Sequence, residues 1–226
     1  FAPTLIDCTI EYNTAPSEGG GIFIYEGDAT LTNCLISNNT ATGVSGREGA
    51  GGGIALQLSN SAITNCLIYE NEALGGAGVY LNASRPAITN CTIVDNAAST
   101  YDGGGILCYQ AVPTFNNTII WGNSTADRGN QLYTGSQTIT LNNCDLQDSG
   151  LGSNDVAGVR TPIKNNCINS DPLFVNPVGD NYELQTTSPC IDAGNSSLVP
   201  SDVTTDLNDA ERIQGAAVDL GAYECR

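Results

Sequence analysis

Acidic residues recur at one place in the sequence, in the turns that lead into short glycine-rich segments. These equivalent positions hold Glu18, Glu48, Asp102 and Asp127. Two carboxylates at a suitable separation can hydrolyse a neutral glycan, which makes Asp102 and Asp127 a candidate catalytic pair. Acidic residues in turns usually face solvent or bond to the backbone of the turn, and we favour that interpretation for this set.

The residues that other catalytic mechanisms need are absent from the chain or scattered along it. The chain has no histidine, which excludes Ser-His-Asp and Cys-His mechanisms and most zinc sites. Lyases of acidic polysaccharides need clustered basic residues, but those here are scattered as Arg47, Arg85, Arg128, Arg160 and Lys164. A formal net charge of −17 also repels uronates, nucleic acids and anionic lipid. We therefore expect no lyase activity, no nucleic-acid partner and no membrane insertion.

One stretch near the C-terminus is rich in oxygen-bearing side chains. It contains Asp202, Asp206, Asn208, Asp209 and Glu211. Hard oxygen ligands on a loop suit Ca²⁺, so calcium is the one cofactor that the sequence suggests. The spacing does not match an EF-hand, and a plain acidic loop is the alternative that we favour.

The elements that must position these residues come from an internal repeat. One column of small residues recurs at steps of 26, 32, 25, 27 and 26 residues, as Cys8, Cys34, Cys66, Cys91, Thr118 and Cys144. The preceding column is Asn33, Asn65, Asn90, Asn117 and Asn143. Apolar columns flank both, and a Gly-rich start to a further apolar segment follows in each period. A period near 26 residues with alternation inside each segment indicates a solenoid coil of three short strands.

The predicted fold is all-β, a right-handed single-stranded parallel β-helix of about six coils. Its handedness follows from the crossover rule for parallel strands. The coils should span residues 1–168, and residues 169–226 should form an irregular C-terminal cap that closes the end of the rod. Inside the rod we expect the Asn column to bridge coils and the Cys column to be buried and reduced. The 32-residue step predicts a protruding loop over residues 40–49.

Outward positions of the strands carry an unusual number of aromatic side chains. The predicted binding surface consists of Phe23, Tyr25, Tyr80, Tyr109, Trp121 and Tyr133. Flat aromatic rows can stack on sugars, and they can equally pack against another protein. Leu, Ile and Val lie beside the aromatic residues, which favours a protein partner or self-contact over both sugar binding and coverage by the cap.

The C-terminal motifs are the specific part of a family resemblance. They are the stretches 171–174 (DPLF), 188–194 (SPCIDAG) and 219–224 (DLGAYE). The chain resembles bacterial secreted β-helix proteins of the choice-of-anchor Q type, which implies an exported and often surface-attached protein. Cys190 and Cys225 depart from that pattern, and we interpret them as a disulfide, which suits an oxidising compartment. Arg212 is expected to pair with Asp192, Asp219 or Glu224.

The leading functional hypothesis is an extracellular or cell-surface module that is structural or adhesive and non-catalytic. The first coil lacks a capping helix and a preceding Gly-rich strand, and an open sheet edge templates pairing. End-to-end or lateral self-contacts could then build filaments, or another surface protein could bind. The sequence contains no methionine, even at its first position, and we expect a mature or trimmed chain for that reason. The alternative is a protein that binds or degrades a neutral polysaccharide.

Overall fold

The computed structural model describes residues 2–43, 48–150 and 154–225. The chain winds into a parallel solenoid of four stacked sheets, to each of which the first five coils contribute one strand. This confirms the predicted parallel β-helix of about six coils. Residues 44–47, at the centre of the predicted loop, lie outside the described residues.

The four sheets are numbered in the order in which the chain visits them. Sheet 1 holds Thr4–Ile6, Thr30–Thr32, Ala62–Thr64, Ala87–Thr89, Thr114–Asn116, Thr140–Asn142 and Ile163–Asn165. Sheet 2 holds Thr9–Glu11, Leu35–Ser37, Leu67–Tyr69, Thr92–Val94, Ile119–Trp121 and Asp145–Leu146. Sheet 3 holds Thr14–Ala15, Thr40–Ala41, Glu72–Ala73, Ala97–Ala98 and Ser124–Thr125. Sheet 4 holds Ile22–Tyr25, Ile54–Gln57, Val79–Asn82, Ile106–Tyr109, Leu132–Thr134 and Val156–Gly158.

The prediction of three strands per coil was one too few. The missed element is sheet 3, whose strands are only two residues long. Each follows a corner at which a buried Asn turns the chain inward, and the four central corner residues are Asn39, Asn71, Asn96 and Asn123. Each of their side-chain amides donates to the side-chain oxygen of the residue above, and Gln131 Oε1 closes the ladder at 2.7 Å. The corner thus satisfies its own polar groups in the interior.

The other Asn column lies at the corner between sheets 1 and 2. Asn33, Asn65, Asn90, Asn117 and Asn143 all adopt positive φ, between 48° and 54°. Asn is the side chain that tolerates this left-handed conformation best after Gly, which explains the column. Some of these amides also bond between coils, for example Asn117 Nδ2 to Asn90 Oδ1 at 3.0 Å.

The cysteine column lies in the interior, where it packs against the apolar columns of sheets 1, 2 and 4. Cys34, Cys66, Cys91 and Cys144 are fully buried, while Cys8 is partly exposed in the first coil. Cys66 and Cys91 each direct the thiol to the carbonyl two residues earlier, at 3.2 and 3.3 Å. Burial raises the pKa of the Cys66 thiol. A buried thiol that stays protonated is unreactive.

The C-terminal segment, residues 169–225, does not close the end of the rod. It contains an antiparallel pair, Phe174–Asn176 with Asn181–Leu184, and two short 3₁₀ turns, Pro177–Gly179 and Ser196–Leu198. The segment, called the flank segment below, runs along the flank of the solenoid and covers the outer face of sheet 2 beyond its first strand. Its contacts reach from Asn65, which donates to the Thr205 carbonyl at 2.6 Å, to Asn143, which lies 3.5 Å from the Ala193 carbonyl.

Apolar packing explains why the C-terminal segment lies on sheet 2. Leu67, Tyr69 and Val94 form one buried cluster with Tyr182 and with partners from the same segment. The Tyr69 and Tyr182 rings are 5.2 Å apart at their centroids. The outward apolar row of sheet 2 is therefore covered by the chain itself, and the prediction that it contacts a partner was wrong.

Arg212 is the buried cation of this segment. Its Nη1 lies 3.6 Å from Glu224 Oε1, and its Nη2 donates to the carbonyls of Asp219 and Gly221 at 3.1 and 2.7 Å. The predicted ion pair with one of three acids is thus formed by Glu224. The pair is buried within this segment.

The predicted disulfide between Cys190 and Cys225 is not formed in the structure. The buried Cys190 thiol instead lies 3.2 Å from Oδ2 of Asp145, a fully buried carboxylate at the end of sheet 2. Burial raises the pKa of Asp145 to about 6. A thiol that donates to this carboxylate satisfies a group that would otherwise be costly to bury.

The far end of the rod is left uncovered by the flank segment. Its last strands are Val156–Gly158 and Ile163–Asn165, and each pairs with a coil on one side only. Lys164 occupies the inward position that Leu141 fills one coil below, and its ammonium pairs with Asp148 at 2.5 Å. A charge in an inward position of an edge strand discourages further pairing.

Replacing Lys164 with leucine should make the protein self-associate through this end of the rod. Because the apolar column would then be continued to the surface, we expect self-association about tenfold stronger than in the wild type. Sedimentation velocity over a concentration series measures this. Lys164→Gln removes the charge but adds no apolar surface, and it should associate more than the wild type and less than Lys164→Leu. Equal association of all three proteins would show that Lys164 does not protect this end.

Candidate functional site

A groove of about 600 Å³ lies on the outer face of sheet 4. Strands Val79–Asn82, Ile106–Tyr109 and Leu132–Thr134 supply its floor, because their alternate residues point away from the core. The turns that lead into these strands supply one wall. Its aromatic and acidic lining consists of Glu48, Tyr80, Tyr101, Asp102, Tyr109 and Tyr133.

Four tyrosines give the groove an aromatic surface. Tyr80 is only 1% exposed and packs in one cluster with Ala55 and Leu107 on the neighbouring strands. Tyr109 and Tyr133 are partly exposed, and Tyr101 stands 38% exposed on the wall. Tyr80 therefore shapes the floor, and the prediction that it is an exposed contact residue was wrong. The other three keep part of their surface exposed in the groove.

The acidic residues of the turns lie along one edge of this face. Glu48 and Asp102 both line the groove. Glu18 continues the row beyond it, held by a hydrogen bond from the Gln57 amide and close enough to Glu48 for the two charges to interact. Burial and the charge of Glu48 raise the pKa of Glu18. The sequence thus predicted correctly which turns share an edge.

Arg128 links the last two acids of the row to an aromatic ring. Its guanidinium bonds both carboxylate oxygens of Asp102, Nε at 3.1 Å and Nη2 at 3.2 Å, and lies 3.6 Å from Asp127. The same guanidinium stands over the Tyr133 ring, 5.2 Å from the centroid. This distance is within the range of a cation–π contact.

The candidate catalytic pair Asp102 and Asp127 is therefore bridged by a cation. Burial raises the pKa of Asp102, and the Arg128 guanidinium opposes that rise. Because both oxygens of Asp102 are engaged by Arg128, neither is presented to a substrate as the acid or the nucleophile of a glycoside hydrolase would be. The arrangement is better suited to binding than to bond cleavage.

The remaining aromatic candidates lie apart from the groove. Trp121 is partly buried against the C-terminal segment and lines a separate groove formed with that segment. Phe23 and Tyr25 are 50% and 56% exposed on the first coil, on the same face as the groove but outside its lining.

The proposed calcium loop does not gather its oxygen ligands. Asp206 is buried and accepts hydrogen bonds from the backbone of Asn208, Ala210 and Glu224, at 2.8 to 2.9 Å. Asp202, Asp209 and Glu211 are exposed. Across residues 2–43, 48–150 and 154–225, no three acidic, cysteine or histidine side chains converge as metal ligands would. The acidic stretch is a turn that Asp206 organises.

Three polar or aromatic groove residues were not singled out from the sequence. Tyr101 belongs to the turn before a Gly-rich strand, and Gln110 and Ser136 belong to the turns that follow sheet 4. A turn residue has no fixed periodicity, so the repeat carried no signal for them. Their equivalence to the acidic turn positions and to the strand ends was the only available clue.

Comparisons with known proteins extend this description. A family model described as a right-handed beta helix region matches residues 2–168, which agrees with the predicted handedness. Among solved structures, the crystal structure of pectate lyase Pel9A is similar, with a TM-score of 0.41 and 14% identity. The alignment covers 99% of this chain and 65% of the lyase, so this chain spans less than two thirds of that protein's length. No curated protein matches the sequence. No helix of the described residues is long and apolar enough to cross a membrane.

Proposed function

Because this chain belongs to the right-handed β-helix family, whose stacked coils offer long flat faces, we propose that it binds a polysaccharide through the groove on sheet 4. The protein acts outside the cell as a non-catalytic, adhesive module. The single observation that carries this proposal is the groove lined by Tyr101, Tyr109 and Tyr133 with polar groups at its rim.

The lining has the composition that sugar recognition requires. Partly exposed tyrosine rings stack on the apolar faces of sugar rings, and their hydroxyl groups bond to sugar hydroxyls. Gln110 and Ser136 add donors and acceptors at the side of the groove that lies opposite the acidic turns. A concave site with aromatic walls and a few polar groups is the usual form of a small-ligand site.

Binding without cleavage is the better interpretation of the carboxylates. Asp102 and Asp127 are held by Arg128, which leaves this pair without the free acid that hydrolysis of a glycosidic bond needs. The chain also lacks histidine and a cluster of basic residues. Retention of a glycan is therefore the activity that these residues support.

The apolar surface that lateral self-assembly would need is covered by the chain itself. The apolar row of sheet 2 packs against the C-terminal segment, and Lys164 protects one end of the rod. The outer face of sheet 4 keeps partly exposed aromatic residues, and its acidic rim suits a polar ligand better than an apolar protein partner.

Tyrosine substitutions in the groove test the proposal. Tyr109→Ala and Tyr133→Ala should each weaken binding of glycan hexamers by roughly fivefold to tenfold, since each removes about 1 kcal/mol of ring contact. Isothermal titration calorimetry with β-1,4-linked hexamers of glucose, N-acetylglucosamine and glucosamine measures the affinities. The hexamers should stay uncleaved during the titration.

Tyr12→Ala is the matched control, because Tyr12 is 74% exposed on the first coil and away from the groove. It should bind as the wild type does. The proposal is wrong if the wild type binds none of the hexamers, or if the control loses as much affinity as the groove variants. Release of shorter sugars would replace binding with hydrolysis as the function.

A further inference from the structure

We infer that the groove selects a glycan that carries free amino groups, such as a polymer of deacetylated hexosamine, over neutral and acidic glycans. This inference rests on the proposed function and names the class of ligand for the same site. It is carried by the combination of a tyrosine-lined groove with a row of carboxylates along one wall, which is interrupted only at the turn before Val79–Asn82.

The structure already shows how this wall accommodates a cation. The guanidinium of Arg128 stands over the Tyr133 ring, bonds Asp102 and lies 3.6 Å from Asp127. An aromatic face with flanking carboxylates is the arrangement that recognises organic cations. Arg128 therefore serves as an internal example of the group that the rest of the row would bind.

Further along the row the carboxylates are not neutralised in this way. Glu48 lines the groove beside Tyr101 and Tyr80, and it forms no ion pair with any residue that the structure describes. Glu18 continues the row and has an uncharged amide, Gln57, as its bonded partner. Among the described residues, the carboxylates along this edge thus outnumber the guanidinium of Arg128, which leaves the wall negative.

The geometry of the solenoid matches a polymer better than a single sugar. Successive coils are spaced by about 4.8 Å, which is close to the length of one sugar ring. The strands that follow Glu48, Asp102 and Asp127 belong to different coils of the same sheet. A glycan laid along the rod would pass these carboxylates in turn, and amino groups along it would meet more than one of them.

The charge of the whole molecule works in the same direction. A net charge of −17 attracts a polycation and repels a polyuronate. On the other side of the groove, the Arg160 Nε lies 3.4 Å from the Ser136 carbonyl. Arg160 follows the last strand of sheet 4, whereas Glu48 precedes the second strand of that sheet. Arg160 is therefore too distant along the rod to pair with Glu48.

A matched pair of ligands tests the inference on the intact chain. The β-1,4-linked hexamers of glucosamine and N-acetylglucosamine differ in the charged amino group and the acetyl group that replaces it. At mildly acidic pH and low salt, calorimetry should give about tenfold tighter binding of the glucosamine hexamer, the effect expected of two or so partly exposed ion pairs. That preference should shrink as salt is raised.

Glu48→Gln supplies the residue-level test. It should reduce the preference for the glucosamine hexamer over the N-acetylated hexamer about threefold. Glu11→Gln, which removes an exposed carboxylate on sheet 2, is the matched control and should keep the full preference. Loss of the preference in both variants would assign it to the general charge of the protein and overturn the role of the groove.

The outcomes separate the two proposals. If the N-acetylated or glucose hexamer binds as tightly as the glucosamine hexamer, the selectivity is wrong and polysaccharide binding stands. If none of the hexamers binds, the proposed function itself fails. If the glucosamine hexamer binds but Tyr109→Ala does not weaken it, the amine is held elsewhere on the acidic surface, which overturns the inference.

Discussion

Replacing Asn96 with alanine is expected to lower the free energy of unfolding by about 4 kcal/mol. The Asn96 side chain is fully buried at the corner before sheet 3. Its Nδ2 donates to the carbonyls of Ile68 and Val94 and to Asn123 Oδ1, at 2.9 to 3.0 Å. Its Oδ1 accepts from both the backbone and the side-chain nitrogen of Asn71 at 3.0 Å.

Alanine would remove these five buried hydrogen bonds, each with a net worth of about 0.5–1.5 kcal/mol, and would deprive the Asn71 backbone nitrogen of this acceptor. Urea unfolding followed by circular dichroism measures the loss. Asn13→Ala is the matched control, because Asn13 is the exposed end of the same ladder, where its Nδ2 bonds Asn39 Oδ1 and the Glu11 carbonyl. The control should lose about 1 kcal/mol. Equal losses at the two positions would mean that burial of the ladder contributes nothing.

The second large effect is expected at Arg212. Arg212→Met should destabilise the attachment of the C-terminal segment by about 3–5 kcal/mol, because it leaves a buried carboxylate without its cation. Glu224 is buried, and its pKa is raised to about 7 by burial even though Arg212 opposes the rise. Without Arg212 the same carboxylate would have to take up a proton or move into solvent.

Limited proteolysis measures this effect, since an unattached segment is cut before the solenoid is. Residues 169–225 should be cleaved many times faster in Arg212→Met than in the wild type. The double variant Arg212→Met with Glu224→Gln should recover part of the resistance, because it removes the uncompensated charge as well. Arg85→Met is the control, since Arg85 is exposed and should leave the cleavage rate unchanged. A double variant that is no better than Arg212→Met would argue against the charge as the cause.

The solenoid could be predicted because the same pattern of apolar residues recurs in successive coils. The column of Leu31, Ile63, Ile88, Phe115 and Leu141 faces inward at every coil, so each copy of the pattern confirms the others. Period-2 alternation then assigns the inward and outward faces of every longer strand. Sheet 3 was not predicted because a two-residue strand is too short to show alternation.

The C-terminal segment could not be placed because its contacts occur once. Alternation shows that Tyr69 and Trp121 point outward, but it carries no information on what covers them. The covering residues lie far along the chain, as in the bond from Tyr182 Oη to Asp95 Oδ2 at 2.9 Å. The resemblance in motif suggested a cap, and the distribution of apolar residues on sheet 2 decided where it packs.

The groove was predictable in part for the same reason. The sequence correctly put Glu48 and Asp102 on one edge, because the turns are equivalent in the repeat. It misjudged Tyr80, since its neighbours Ala55 and Leu107 and the turn residue Ala50 enclose it. It also missed the bridge by Arg128, because an ion pair between turns depends on side-chain conformation and not on period.

The flank segment changes how this molecule must fold. A bare solenoid has contacts only between successive coils, so it can nucleate anywhere and propagate. Here the Asn65 amide bonds a carbonyl 140 residues later, and Thr92 accepts a bond from the backbone 130 residues later. Such contacts raise the contact order of an otherwise local fold, which slows folding. The central coils therefore reach their final stability only after the flank segment has been synthesised and has returned to them.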